Sequence, residues 1–381
     1  MKKKVIRVTT VALSLDKLIE GQLRFLNQFY DVVAVSGKDH HLELVEQREG
    51  VRVIDLSMQR PISPVRDAIS IWKMYWLLRK EKPQIIHSMT PKAGLVSMVA
   101  GKLAGVPIRM HTFTGLVFPT RKGIMQKLLI WIDRLICKCA THIYPEGNGV
   151  RQDLIIYNVT SKPLKILANG NINGLDTQRF DRAQHGEEVV QLKAQLGLTQ
   201  DHFVYSFVGR LVGDKGINEL VEAFVRVHVQ YPNVRLVLVG PREEELDPLT
   251  PQTEAKIEQM ESIVTVGYQN DVRPYLALSD AFVFPSYREG FPNVVLQAGA
   301  YDLPSVVTDI NGSNEIITHG LNGLIIPKGD ADALEQAMLK LYADTDLRTH
   351  LAANARSLIV QRYEQSIVWQ AIHQEYERLV R

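Results

Sequence analysis

Four side chains in the second half of the chain have the types and spacing to hold an anion and a polyol side by side. Arg210 and Lys215 stand in GRLVGDKG, at the end of the apolar run FVYSFVG (203–209). A guanidinium grips phosphate oxygens bidentately and an ammonium adds a compact second charge. A glycine turn at Gly209, leading from a strand into a helix, leaves backbone N–H groups free for the same phosphate. Glu289 and Gln297 stand in FPSYREGFPNVVLQAGA (284–300). There Arg288-Glu289-Gly290-Phe291 makes a turn after a strand, and Pro292 suits the first helical position, where its missing N–H costs nothing. The N–H groups of Asn293 and Val294 then face outward with the helix dipole behind them, a second seat for a diphosphate. Glu289 has the sign of a phosphate, so its expected partners are hydroxyls, as sugars offer. Pairing with Arg288 is the structural alternative. Gln297, about two turns beyond, reaches toward a ribose edge. Tyr268, in VGYQNDV at another strand end, is placed either to flank a base or simply as an exposed loop residue.

These groups need a scaffold that delivers strand ends to one edge. The sequence alternates short β-rich runs with helical stretches throughout: VIRVTT (5–10), YDVVAVS (30–36), RVIDL (52–56), QIIHS (84–88), IRMHTF (108–113) and THIYP (141–145) come first. FVYSFVG, VRLVLVG (234–240), IVTVG (263–267), AFVFPS (281–286), PSVVT (304–308) and GLIIP (323–327) follow. The intervening helices include a single one over LIEGQLRFLNQF and one from about Ile217 to Gln230. Strands alternating with helices predict an α/β protein with mostly parallel sheets, here two doubly wound, Rossmann-like domains in tandem facing a cleft. The expected boundaries are 1–167 and 196–360, a polar linker over 168–195, and a C-terminal helix over 361–381 that packs back on the first domain.

Composition narrows the function classes. The 381 residues are 45% hydrophobic and 23% charged, an ordinary folded chain too long for one core. The net charge of +2 conceals an asymmetry: 26 Lys and Arg face 13 Asp and Glu in residues 1–165, against 18 and 29 in residues 166–381. The asymmetry reads either as two solvated surfaces that attract each other across a cleft, or as a basic half that faces anions such as a membrane surface, nucleic acid or a phosphorylated substrate; charge alone favours the former. No nucleic-acid motif accompanies the charge, so nucleic acid is not an expected partner. The two cysteines, Cys137 and Cys139, point apart on a helix and imply neither disulfide nor zinc site. The start MKKKVIRVTTVALSL reads as a buried strand and not as a signal peptide, and no run reaches the length of a transmembrane helix. A cytoplasmic protein is expected. There is neither a Walker loop nor a GxGxxG after the first strand, which argues against an ATPase and a simple dehydrogenase.

GRLVGDKGINELVEAF, followed about 75 residues later by PSYREGFPNVVLQAGAYDLPSVVTD, resembles the donor domain of family 4 glycosyltransferases, which have the two-domain GT-B fold. HSMTPKAGLVSMVAGKLAGVPIRMHTFTGL is similar to the branch that adds sugars to lipid-linked precursors of capsule, exopolysaccharide or other glycans. The resemblance implies that Arg210 and Lys215 hold the nucleotide diphosphate and take part in catalysis with Glu289, which contacts the donor sugar. The segment from Gly290 through Phe291, Pro292 and Asn293 belongs to the same donor site. Gln297 stands where the family has its second glutamate. An amide still hydrogen-bonds a diol, without the charge-assisted bond. The resemblance further implies a nucleotide-diphosphate sugar donor, most often a UDP-sugar, and retention of anomeric configuration. It implies no cofactor and no metal.

On the acceptor side, Gly21 is the counterpart of the family's glycine-rich loop. Thr114, before Gly115, matches a position where many relatives carry histidine, and His111 lies three residues earlier; a core-packed strand histidine is an equal reading of His111. Lys92, in TPKAG, begins a helix after a strand, placed either to meet an acceptor phosphate or as an ordinary first-turn lysine. RKGIMQKLLIWIDRLICKCA reads as a core-facing helix with a basic outer face or as an interfacial amphipathic helix. The expected partners are therefore a nucleotide-diphosphate sugar, a lipid-linked saccharide and the inner-leaflet surface of the cytoplasmic membrane, with the protein peripheral to it. A sugar-nucleotide epimerase or hydrolase of the same fold, and a non-catalytic nucleotide-sugar binding protein, are the competing readings.

Overall fold

The computed structural model describes residues 2–59, 61, 63–243 and 247–381. The chain divides into two compact units: Met1–Gly174 with Gln365–Arg381, and Leu175–Glu364.

In the first unit β1 (Lys4–Val11) leads into α1 (Ala12–Leu18), α2 (Gln22–Asn27), β2 (Asp31–Gly37), α3 (His40–Glu49) and β3 (Arg52–Asp55). Then come α4 (Pro64–Glu81), β4 (Ile85–Ser88), α5 (Pro91–Leu103), β5 (Ile108–Phe113), α6 (Gly123–Cys139), β6 (His142–Pro145) and α7 (Asn148–Ile156). The strands form one parallel sheet of order β3-β2-β1-β4-β5-β6. The chain moves outward from β1 in one direction through β2 and β3, then returns beside β1 as β4 and proceeds in the other. The switch point is therefore between β1 and β4, where open parallel sheets bind ligands beyond the carboxyl ends of the strands. The central strands β1 and β4 are buried along almost their whole length, the polar side chains of Arg7, Thr9, His87 and Ser88 included.

The helix expected over residues 18–29 begins only at Gln22, as α2, and is preceded by α1, which was not expected, with Ile19–Gly21 as the break between them. Gly21 has φ +79°, a left-handed conformation that favours glycine. A Cβ there would come within 2.7 Å of the indole of Trp369, so the position is closed by packing within the unit.

The second unit runs α8 (Gly186–Gln195), β7 (Phe203–Val208), α9 (Ile217–Gln230), β8 (Val234–Val239), α10 (Pro251–Gln259), β9 (Ile263–Thr265) and α11 (Arg273–Ala277). It continues with β10 (Ala281–Phe284), α12 (Asn293–Ala300), β11 (Ser305–Thr308), α13 (Ser313–Ile316), β12 (Gly323–Ile326), α14 (Ala331–Ala343) and α15 (Thr345–Tyr363). Part of the segment expected as linker is folded here, as α8. The sheet order is β12-β11-β10-β7-β8-β9, and the switch point is between β7 and β10. The last helix, α16 (Gln365–Val380), belongs to the first unit. Its Tyr376 hydroxyl accepts a bond of 2.8 Å from Nη1 of Arg7 on β1, a guanidinium only 1% exposed.

Candidate functional site

The loops after β7 and β10 are neighbours because their strands are hydrogen-bonded neighbours. They are also laced together. The Tyr287 N–H donates to the Asp214 carbonyl at 2.8 Å, and the Arg288 guanidinium donates to the Asp214 carboxylate at 3.1 Å. Gly216 sits at φ +71° with the Pro285 carbonyl oxygen only 2.2 Å from where a Cβ would be. The glycine of the DKG turn is thus required twice, by its left-handed backbone and by the approach of the other loop.

Between these loops Lys215 Nζ forms an ion pair with Glu289 Oε1. The Ser286 hydroxyl donates to the same oxygen at 2.8 Å, and the ammonium stands 5.6 Å from the centre of the Phe284 ring. Both charged side chains are about 15% exposed, so the pair works in a medium less screening than bulk water. This corrects the expected separation of roles. Glu289 does not pair with Arg288, which is engaged by Asp214; its partner is the lysine expected for the phosphates. A phosphate on Lys215, as the sequence leads one to expect, would compete with Glu289 for one ammonium.

Arg210 is more exposed and pairs with Glu243 at 2.6 Å. Gly209 takes the turn after β7 and accommodates Gly240, whose Cβ, were there one, would strike the Gly209 carbonyl. Pro292 is not the first residue of α12 but its cap, in extended conformation, and the helix begins at Asn293. Phe291 is buried, with its ring 5.5 Å from that of Tyr363, and Gly290 lies against Gly312 of the loop after β11. Gln297 is half-buried one turn into α12. Tyr268 is 66% exposed. The structure also brings in Asp214, Ser286 and Tyr287, whose hydroxyl donates to Glu219 at 2.5 Å. Their signal in the sequence was adjacency to Lys215 and Glu289.

At the switch point of the first unit the chemistry is different. A cavity of about 400 Å³ lies beyond β1, β4 and β5. Its walls are mainly apolar, with Leu95, Phe113, Leu129 and Ile132 among them, and Thr10, Ser14, Thr90, Lys92 and Asp133 supply polar atoms. Lys92 is buried and donates to both oxygens of Asp67, at 2.7 and 2.6 Å. Its charge is answered inside the protein, in contrast to the expectation of a lysine open to a phosphate. Asp133, on α6, is 9% exposed, and burial raises its pKa to about 7.

The other acceptor-side candidates are engaged within the first unit. His111 is buried, bonded through Nδ1 to the Ser88 hydroxyl at 2.9 Å. Its ring fills the space that a side chain at Gly94 would take, and burial lowers its pKa to about 3, so it stays neutral. The Thr114 hydroxyl donates to the Met89 carbonyl at 2.9 Å. Gly21 is covered by Trp369 as described. Among the described residues no cluster of three or more His, Cys, Asp or Glu has the arrangement of a metal site, and no helix is long and apolar enough to cross a membrane.

Comparison with known proteins places both units. Residues 190–358 match the family model of glycosyl transferases group 1, and residues 20–170 match a glycosyl transferase 4-like domain. The chain is 30% identical over 383 residues to the capsular polysaccharide biosynthesis glycosyltransferase CapM of Staphylococcus aureus, covering 100% of this chain and 98% of that protein. It is 30% identical over 307 residues to the UDP-Gal:alpha-D-GlcNAc-diphosphoundecaprenol alpha-1,3-galactosyltransferase of Escherichia coli, covering 80% and 78%. Among solved structures, HepE of Anabaena in complex with UDP superposes with a TM-score of 0.82 at 19% identity, over 99% of this chain and 100% of that one.

Proposed function

Given that the chain belongs to the family 4 glycosyltransferases and has their GT-B fold, we propose that it transfers a sugar, with retention of configuration, from a UDP-sugar to a lipid-linked saccharide during synthesis of a bacterial surface polysaccharide. The Lys215–Glu289 pair at the switch point of the second unit carries this reading. A nucleotide diphosphate and a sugar together would use both charges. The diphosphate displaces Glu289 from Lys215, and the released carboxylate accepts hydrogen bonds from the sugar hydroxyls. Arg210 adds a second cation once it leaves Glu243, Gln297 faces the ribose, and Tyr268 flanks the base.

The bond broken joins the sugar C1 to a diphosphate oxygen; the bond formed joins C1 to the acceptor oxygen. The acceptor proton passes to the departing diphosphate, on which negative charge collects. Lys215 and Arg210, once released from Glu289 and Glu243, stabilise that charge electrostatically and so lower the barrier. The E. coli relative is named for a UDP-galactose donor and a diphosphoundecaprenol-linked acceptor, which supports the substrate classes here.

The first unit is the acceptor domain in this reading, working at the cytoplasmic face of the membrane. Helices α4 and α6 both pack on α5 and leave large apolar side chains in solvent: Trp72, Trp76, Ile124 and Trp131 are 56–87% exposed. Lys73, Lys80, Lys122 and Lys127 lie on or beside these same helices. Aromatic and basic side chains together suit an anionic lipid surface.

A panel of nucleotide sugars tests the donor. One UDP-sugar is expected to raise the melting temperature and to be consumed only when a lipid-linked saccharide is supplied. A chain stabilised by no nucleotide, or one that merely hydrolyses its donor, overturns the reading. Flotation with anionic vesicles at low and high salt tests the membrane surface.

A further inference from the structure

The cavity at the β1–β4 switch point holds a carboxyl group whose placement is not explained by folding. Asp133 occurs on the apolar side of α6, with Leu129, Ile136 and Cys137 at helical spacing around it. It lines the cavity, and among the described residues no ion pair or hydrogen bond engages it. Burying such a group without a partner is costly, so its position calls for a ligand that answers it.

Three occupants fail that requirement. A lipid stem filling the apolar walls would strip Asp133 of its remaining water and offer no hydrogen bond in return. A phosphate would meet a carboxylate, while the nearby cation, Lys92, already has both oxygens of Asp67. A metal ion would find no group of three or more acidic, imidazole or thiol ligands among the described residues. A neutral sugar ring meets every condition. Its C–H faces pack on Phe113, Leu129 and Ile132, and its hydroxyl or acetamido N–H groups donate to Asp133. The Ser14 and Thr10 hydroxyls offer further polar contacts on the same cavity. The Thr10 hydroxyl is already shared with Thr90 at 2.7 Å and receives the Ala93 N–H at 3.2 Å, which fixes its direction. At about 400 Å³ the cavity falls within the range of small-ligand sites.

We infer that this cavity seats a neutral hexose ring of the acceptor, with Asp133 as the residue that recognises it. The inference rests on the transferase reading for the word acceptor, but the seat can be tested apart from it. The probe is methyl N-acetyl-α-D-glucosaminide, observed by saturation-transfer NMR on the full chain with excess UDP present to occupy the second unit. Wild type is expected to bind the probe, and Asp133→Leu to bind it about tenfold or more weakly, the loss of one charge-assisted hydrogen bond. Asp133→Asn, which keeps the shape and an acceptor oxygen, is expected to recover part of the loss.

The rise in melting temperature with UDP, measured on the same variants, shows that each is folded. Equal binding of the glucosaminide by wild type and the leucine variant overturns the inference. So does wild type that ignores the sugar, or that prefers decanol to it. Absence of a UDP effect in wild type counts against the transferase reading alone, since sugar binding dependent on Asp133 would still stand.

Discussion

The two units use one plan, a parallel sheet wound outward from a switch point, and furnish that point in opposite ways. In the second unit two loops cross-linked by Asp214, Tyr287 and Arg288 hold an ion pair at the carboxyl ends of β7 and β10. In the first unit the ends of β1, β4 and β5 open on apolar walls with one lone acid, and the cation there is neutralised by Asp67. The sheet determines where a ligand goes; the residues in the first turn beyond each strand determine its charge. In the proposed reading a charged leaving group belongs to the second crevice and a neutral ring to the first.

The comparison breaks most readily at Glu289. Glu289→Gln is expected to slow sugar transfer by about 10²-fold or more, the scale of one preorganised electrostatic contact. UDP affinity should be kept or improved, because Lys215 is relieved of its competitor. Titration calorimetry beside a transfer assay separates the two effects; wild-type turnover would leave Glu289 a structural partner of Lys215. Next in size, Lys215→Ala should weaken UDP by roughly 10- to 100-fold, as for a hydrogen bond to a charged group, and leave uridine almost unaffected. Equal losses for both ligands would remove the lysine from the phosphate site.

The lone acid gives a smaller effect of distinct form. The folded pKa of Asp133 is raised to about 7 from 3.8, so the folded state holds a proton that the unfolded chain gives up. Its contribution to stability is present below about pH 4 and is lost as pH rises toward 7. Asp133→Asn does not titrate. Its melting temperature relative to wild type should therefore climb across that window and level off above it. A difference that is flat with pH would mean that the carboxyl is solvated after all. The smallest change is expected for Gln297→Glu, a few-fold gain in donor affinity from a charge-assisted bond to the ribose, seen in the KM for the donor with kcat unchanged.

Much of this was legible in the sequence. All twelve strands are present near their expected places, because strands buried on both faces are written as compact apolar runs between turn residues. The break between α1 and α2 was not, since the apolar period continues through Ile19 and the reason for Gly21 lies 348 residues away in Trp369. The cationic residues and Glu289 were identifiable as site candidates by type and motif, but not as one ion pair. They are 74 residues apart, and only the adjacency of β7 and β10 brings them together. Asp133 left a usable sign: an acid at the i+4 position from Leu129 on the apolar side of an amphipathic helix. Lys92 and His111 each have a partner inside the protein. A polar residue at a strand end or helix start points as often to a partner inside the protein, here Asp67 and Ser88, as to a ligand.

The assignment of α16 to the first unit has a consequence in time. Residues 175–364 form a unit from one uninterrupted stretch, and it can close as soon as that stretch has been synthesised. The first unit begins earlier and finishes later. Until residues 365–380 have emerged, the space above Gly21 lacks Trp369, and Arg7 lacks the Tyr376 hydroxyl in the middle of an otherwise finished sheet. A ribosome making this protein thus carries an incomplete first domain while the second folds, and the older half of the chain waits for the younger to be completed.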